Sequence, residues 1–273
     1  REDMPGDGVD ASDDIREGKI SFRAARQGVF WVDETRLREF NLVPEVICAT
    51  RHCGSMVGEG APLASARAIP LYLARGNFLL ARGALAEGPL FSVLPMRRRR
   101  IGVLITGTEV FQGLIEDRFE PVITRKAQAL GCEIVSVGKA PDNARLIREG
   151  VEKLLDAGAE VVITTAGLSV DPDDVTRKGL VDAGLRDMLY GIPVLPGAMS
   201  LVGSLGGEGP SAPARVLGVP ACALFHKTTA LDVLLPCVLA DAPLTREYLS
   251  GLGHGGLCLD CKTCTYPKCT FAK

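Results

Sequence analysis

Ile101-Gly-Val-Leu-Ile-Thr106-Gly107 is a short, unbroken apolar run closed by glycine. A run with no polar alternation suits a parallel strand buried on both faces. Beyond it, Phe119, Val122, Ile123, Lys126, Ala127 and Leu130 recur at spacings of three and four and end at Gly131. That is an amphipathic helix with a C-terminal glycine. Glu133 to Val137 reads as a second strand, and Leu146, Ile147, Val151, Leu154 and Leu155 form another helical stripe closed by Gly158. Glu160-Val-Val-Ile-Thr-Thr165 is the third strand; Arg215 to Val219 and a helix from Leu224 to Leu235 extend the series. Strands alternating with helices predict an α/β fold: a doubly wound, mostly parallel sheet with right-handed crossovers.

Towards the N-terminus the texture changes. Up to about Pro95 the chain is rich in Gly and Pro and in short β-type runs, such as Gly28 to Val32 and Glu45 to Cys48, with little helical periodicity. We expect a smaller, mainly β domain over residues 1–96, the α/β domain over 97–248 and a Cys-rich tail over 249–273. Arg97 to Arg100 read as a solvated linker. At 47% apolar and 23% charged residues, the 273-residue chain has the composition of a globular protein. Its 31 Lys and Arg against 33 Asp and Glu give a net charge of -2, so no general basic field recommends nucleic acid as a partner. Apolar runs are interrupted early, as by Asp232, and none reaches the ~18 residues of a membrane span. No apolar leader stretch follows Arg1-Glu2-Asp3, and nine cysteines do not make an even disulfide framework, so the expected location is a reducing cytoplasm.

In open α/β sheets ligands bind beyond the carboxyl ends of the strands, where helix N-termini present free N–H groups. The loops there read Thr106-Gly107-Thr108-Glu109, then Gly138 to Asn143, then Ala166-Gly167-Leu-Ser169-Val-Asp171-Pro-Asp173-Asp174-Val-Thr176. Glycine, hydroxyls and acids on one edge suit a phosphate-bearing ligand whose charge is bridged to the carboxylates by a cation such as Mg²⁺. Plainer roles stay open: Gly107 and Gly167 could serve turns, and Asp142 and Asp174 could cap helices. The three acids between Asp171 and Asp174 repel one another unless a cation or N–H donors offset them. His52, His226 and His254 fall in separate segments and suggest ordinary structural or surface roles.

Taken in order, Gly107-Thr108-Glu109, Gly113-Leu-Ile-Glu-Asp117-Arg118-Phe119, Pro141-Asp142-Asn143, and Ala166-Gly167-Leu-Ser169 with Asp174 and Thr176 resemble a known pattern. It is that of the MoaB/Mog-type molybdopterin-binding domain, shared by the adenylyltransferases and molybdenum-insertion enzymes of molybdenum cofactor biosynthesis. The likeness runs from Gly102 to about Leu180; the segment containing Gly18-Lys-Ile20, Gly28 and Ala64 to Pro70 resembles, more loosely, the β domains preceding this module in insertion proteins. The resemblance implies a site for molybdopterin or its adenylylated form, with Mg²⁺. Asp142 and Asp174 would be the catalytic, metal-organising acids. Gly167, Ser169 and Thr176 would cradle phosphate, while Gly107, Thr108, Glu109, Asp117, Pro196 and Gly197 would line the same edge.

Several positions depart from the family's pattern. Thr108 stands for its first-loop Asp, Arg118-Phe119 for its Ser-Asn pair, Ala166 for its first loop Gly, and Asp171 for a usual Gly. Its late Pro-Gly-Asn/Ser-Pro is replaced by Gly218-Val-Pro220-Ala-Cys222, with Pro196-Gly197 upstream as a substitute. The expectation is a molybdopterin-binding protein of cofactor biosynthesis, a divergent Mg²⁺-dependent molybdotransferase acting on adenylylated molybdopterin. The alternative is a non-catalytic carrier or sensor of molybdopterin that docks a metalloenzyme through its cysteine tail. The retained acids favour the first; the lost Asn and Ala166 favour the second. Relatives of this kind self-associate, which implies a homo-oligomer.

The second strong signal is Cys258-x-x-Cys261-x-x-Cys264-x-x-x-x-Cys269, which follows a Gly-rich linker from Gly251 to Gly256. Four thiols so close would be an oxidation hazard unless ligated. Both Zn²⁺ and an iron-sulfur cluster suit them: four thiolates complete a tetrahedral zinc, and Cys-x-x-Cys-x-x-Cys is typical cluster spacing. The longer fourth gap and Thr270 after Cys269 depart from the ferredoxin pattern.

Overall fold

A computed structural model describes residues 2–13, 18–97, 99–165, 167–168, 175–206 and 212–272. The chain falls into two compact units, one of Arg1–Arg97 with Ala240–Ala242, the other of Arg98–Leu239 with Pro243–Lys273.

The first unit contains β1 (Val9–Ala11), β2 (Lys19–Ala24), β3 (Gly28–Val32), α1 (Glu34–Leu42), β4 (Val46–Thr50), β5 (Ser55–Val57), β6 (Pro62–Ala68), α2 (Arg75–Gly83) and β7 (Phe91–Pro95). Its strands form two antiparallel sheets, ordered β1-β2-β6-β4 and β5-β3-β7. Phe22, Phe30 and Phe91 meet in its core, Phe22 edge-on to Phe91 at 5.0 Å between ring centres. The two helices are not legible as periodic stripes because each buries so little: Phe40 from α1 and Ala81 from α2. Asp33 starts α1 by accepting the Arg36 N–H.

The second unit contains β8 (Arg100–Thr106), α3 (Thr108–Phe111), α4 (Phe119–Ala129), β9 (Glu133–Ala140), α5 (Ala144–Asp156), β10 (Val161–Thr165), α6 (Thr176–Asp182), β11 (Arg186–Tyr190), β12 (Leu201–Leu205) and β13 (Ala214–Val219). A 3₁₀ turn (Ala221–Leu224), α7 (Ala230–Leu239) and α8 (Arg246–Gly251) follow. The six-stranded sheet runs β11-β12-β13-β10-β8-β9. Its four strands β13, β10, β8 and β9 are parallel, and β12 and β11 add antiparallel at one edge. β8 is buried from Ile101 onward and β10 throughout, as expected of central strands covered on both faces. Ile147, Val151 and Leu154 of α5 form the buried stripe that packs on them. Gly102 permits this approach: a Cβ there would lie 2.9 Å from Leu154 Cβ and 3.0 Å from Ala159 Cβ.

Two local readings need correction, and two strands give no sequence signal. Arg97 to Arg100 are not simply a solvated linker, because β8 begins at Arg100 and Arg99 is 7% exposed, its guanidinium 3.9 Å from Glu160 Oε1. The helix expected from Leu224 begins later, at Ala230, because Asp232 turns back to accept the Thr229 N–H at 2.8 Å and sets the start there. Finally, β11 and β12 carry no alternating signal: β12 is buried throughout, and β11 is an edge strand with an irregular register. Among the described residues no helix is long and apolar enough to cross a membrane.

Candidate functional site

The parallel strands end on one rim, and the antiparallel β12 starts there, because Leu201 pairs with Gly218 near the end of β13. Along this rim the strands follow in the order β12, β13, β10, β8 and β9. Four inter-strand spacings make it about 19 Å long.

At one end the loop after β8 is locked to the loop after β9. Asp142 Oδ2 accepts from the Thr108 N–H and from the Thr108 hydroxyl, both at 2.9 Å, and the Asp142 N–H returns a bond to Thr108 Oγ1 at 3.1 Å. Asp142 is therefore not the cap of α5; Asn143 is, accepting the Leu146 N–H at 3.1 Å. Gly107 opens α3 with a φ of 136°, a conformation that favours glycine, and Glu109 lies exposed in the first turn of that helix. Asp117 Oδ1 accepts the Phe119 N–H at 2.8 Å and starts α4, while its Oδ2 is buried with no hydrogen-bond partner among the described residues.

In the middle of the rim, the Thr106 hydroxyl bonds the Thr165 carbonyl and lies 3.0 Å from Thr176 Oγ1, all three groups buried. The loop after β10 thus leaves and returns beside the end of β8. Gly167 fits this join only without a side chain. Its φ is 55°, and a Cβ would overlap Thr176 Oγ1 and lie 3.1 Å from Thr176 Cβ. Thr164 and Thr165 bring two buried hydroxyls that have no hydrogen-bond partner among the described residues. Ala166, Ser169, Asp171, Asp173 and Asp174 lie outside the described residues.

Pro196 and Gly197 sit against the start of α7. The Pro196 carbonyl accepts the Ala230 N–H at 3.0 Å, and a Cβ at Gly197 would approach Ala230 N to 2.7 Å. Sequence reasoning missed Arg177 and Tyr190. The Arg177 guanidinium stacks 4.4 Å from the Tyr190 ring centre, and the Tyr190 hydroxyl donates to the Leu168 carbonyl, fixing the visible start of the acid-rich loop. Their separation across the unread strand β11 left no local signal.

Cys258, Cys261, Cys264 and Cys269 are free thiols that line one cavity of about 330 Å³, facing the turn from Phe225 to Thr228. The Thr228 hydroxyl is 3.1 Å from Cys264 Sγ, and this bond holds the Cys264 thiol below its ordinary pKa. Among the described residues no group of three or more His, Cys, Asp or Glu stands where it could hold a metal ion. Asp142 keeps Oδ1 outside the Thr108 clamp.

A family described as "Probable molybdopterin binding domain" matches residues 102–240. A molybdopterin molybdenumtransferase of Synechococcus elongatus is 25% identical over 200 residues, covering 70% of this chain and 46% of the relative. A CinA-like protein of Mycobacterium marinum is 30% identical over 102 residues, covering 34% of this chain and 24% of the relative. The chain thus spans less than half the length of these curated relatives. Among solved structures, the molybdopterin biosynthesis enzyme MoaB of Thermus thermophilus aligns with a TM-score of 0.42 at 18% identity, covering 54% of this chain and 99% of that one.

Proposed function

The chain belongs to the family of probable molybdopterin-binding domains, and from that premise we propose that the rim of its six-stranded sheet receives molybdopterin in its adenylylated form. We further propose that the protein is a divergent, Mg²⁺-dependent molybdotransferase, acting in the cytoplasm as a homo-oligomer and serving a recipient metalloenzyme. The observation that carries this reading is the stitching of three loops on one edge, by Thr108 with Asp142 and by Thr106 with Thr165 and Thr176. A rim of about 19 Å suits an extended ligand with a pterin at one end and a nucleotide at the other.

In this reading the residues act mainly by positioning. The Thr108 bonds fix the Asp142 carboxylate before any ligand arrives, so no side-chain ordering is needed at that point on binding. The first-turn N–H groups of α5, beyond the one capped by Asn143, favour a phosphate oxygen. Gly167 and Thr176 hold the described ends of the loop after β10 beside the end of β8, and Ser169, in that loop, would contribute its hydroxyl to the same anion. Mg²⁺, held by Asp142 and Asp174, would neutralise phosphate charge where the pyrophosphate bond breaks. Glu109, Asp117, Gly107, Pro196 and Gly197 would shape the remaining edge.

A second reading is a non-catalytic carrier or sensor that docks a metalloenzyme through the cysteine tail. It is favoured by Arg118-Phe119, which replaces the family's Ser-Asn pair, and by Ala166 in place of its first loop Gly. One assay separates the two. The purified protein with adenylylated molybdopterin, Mg²⁺ and molybdate is expected to release AMP, and Asp174→Ala to abolish release while retaining the fold. Tight pterin binding without AMP release would replace the transferase with the carrier, and absence of binding would remove both.

A further inference from the structure

The cysteine tail stands outside the pterin reading. It has no helix or strand of its own after α8, apart from a bridge between Leu257 and Leu195. Yet it is anchored firmly at both ends. Leu195 N–H donates to the Gly256 carbonyl and the Cys258 N–H to the Leu195 carbonyl, both at 2.7 Å. Further on, Tyr266 packs edge-on to Phe271 at 6.2 Å, its hydroxyl donating to the Asp232 carbonyl, and the Ala272 N–H closes the segment onto the Gly255 carbonyl at 2.9 Å. Phe271 is buried, whereas Cys261 and Cys264 are exposed on the loop between the anchors.

The segment buries few apolar groups of its own, so the hold of these anchors would be reinforced by a cross-link through its four thiols. They share one cavity, and Thr228 supplies a hydroxyl to one sulfur from the opposing wall, the kind of outer partner that orients a thiolate ligand. Their spacings of two, two and four intervening residues give the short loops that wrap a metal centre. The sulfurs surround this space without closing on one point, and ligation would draw the exposed Cys261 and Cys264 inward between the fixed anchors.

We propose that Cys258, Cys261, Cys264 and Cys269 form a four-thiolate metal site, filled by an iron-sulfur cluster or by zinc. Each thiol loses its proton to solvent as it becomes a ligand, so loading releases protons and is weakened by acid. The cluster requires ferrous iron, ferric iron and sulfide together, two of each iron per four sulfides, so that it assembles without a net oxidation; zinc requires only the ion.

The test uses the full chain, reduced and handled without oxygen, incubated either with equal ferrous and ferric iron plus sulfide or with Zn²⁺, then desalted. Retention of about four irons with absorbance at about 400 nm identifies a cluster; retention of about one zinc identifies the tetrahedral site. In either arm, four fewer thiols should react with maleimide than in the chelator-treated protein. Cys261→Ser/Cys264→Ser should bring bound metal to background, whereas Cys132→Ser, in a loop before β9, should leave it unchanged. Thr228→Val, which removes no ligand, should weaken metal retention about tenfold. Metal content insensitive to the double substitution, or no metal retained with all four thiols equally reactive before and after loading, would overturn the proposal. No pterin is present, so the outcome is independent of the rim.

Discussion

Gly167 shows how one residue can be constrained from two directions. Its φ of 55° disfavours any side chain, and the Thr176 hydroxyl occupies the space a Cβ would take. Gly113 has a similar φ of 74° but open space around its missing Cβ. Gly167→Ala is therefore expected to cost more than the backbone strain of about 1–3 kcal/mol, with Gly113→Ala at the low end of that range. Urea unfolding of both variants measures the difference. Equal losses would show that the join between Gly167 and Thr176 is not tightly packed. The conformational requirement at Gly167 was legible from a glycine directly after a buried strand. The clash with Thr176 was not, because eight residues of an acid-rich loop separate them in the chain.

At the scale of elements, α4 and α7 are tied by an ion pair between Lys126 and Asp232, whose side chains are only 16% and 18% exposed. Lys126 Nζ also donates to the Lys227 carbonyl at 3.1 Å, while Asp232 Oδ2 caps the turn at Thr229. Removing the lysine leaves a half-buried carboxylate without its cation. Lys126→Met should destabilise the second unit by about 2–4 kcal/mol, and adding Asp232→Asn, which can still accept from Thr229, should recover part of that loss. Thermal unfolding of the two variants decides; no recovery in the double variant would mean that lost packing, not the stranded charge, is the cause. These elements also show what the sequence conveyed. α4 and α5 were legible because burial on one face imposes a period on their residues, and β8 and β10 because burial on both faces leaves an unbroken apolar run. The start of α7 was not, since it depends on a capping carboxylate within a continuously apolar stretch. The rim loops were visible as clusters of Gly, hydroxyl and acid, but the Thr108–Asp142 clamp joins residues 34 apart, and neither loop announces its partner.

Across the whole molecule, each unit carries a deeply buried thiol: Cys48 on β4 at 4% exposure and Cys237 in α7 at 0%. Burial raises both from the ordinary thiol value of 9.0 to about 12. In the unfolded chain these thiols ionise near 9, whereas in the folded chain they keep their protons. Between those two values the folded state binds more protons, so stability is unaffected below about pH 9, falls as pH rises from about 9 to 12, and levels off above. At about pH 10.5 the loss amounts to roughly 1–2 kcal/mol for each thiol. Other groups titrate in this range, so the comparison must be made with Cys48→Ala and Cys237→Ala, each of which is less stable at neutral pH but lacks one source of the alkaline decline. Denaturant unfolding at about pH 8 and pH 10.5 should show the gap between wild type and each variant narrowing by that amount. A constant gap would mean that the thiol in question ionises as readily in the folded unit as in the unfolded chain, and that its surroundings admit water.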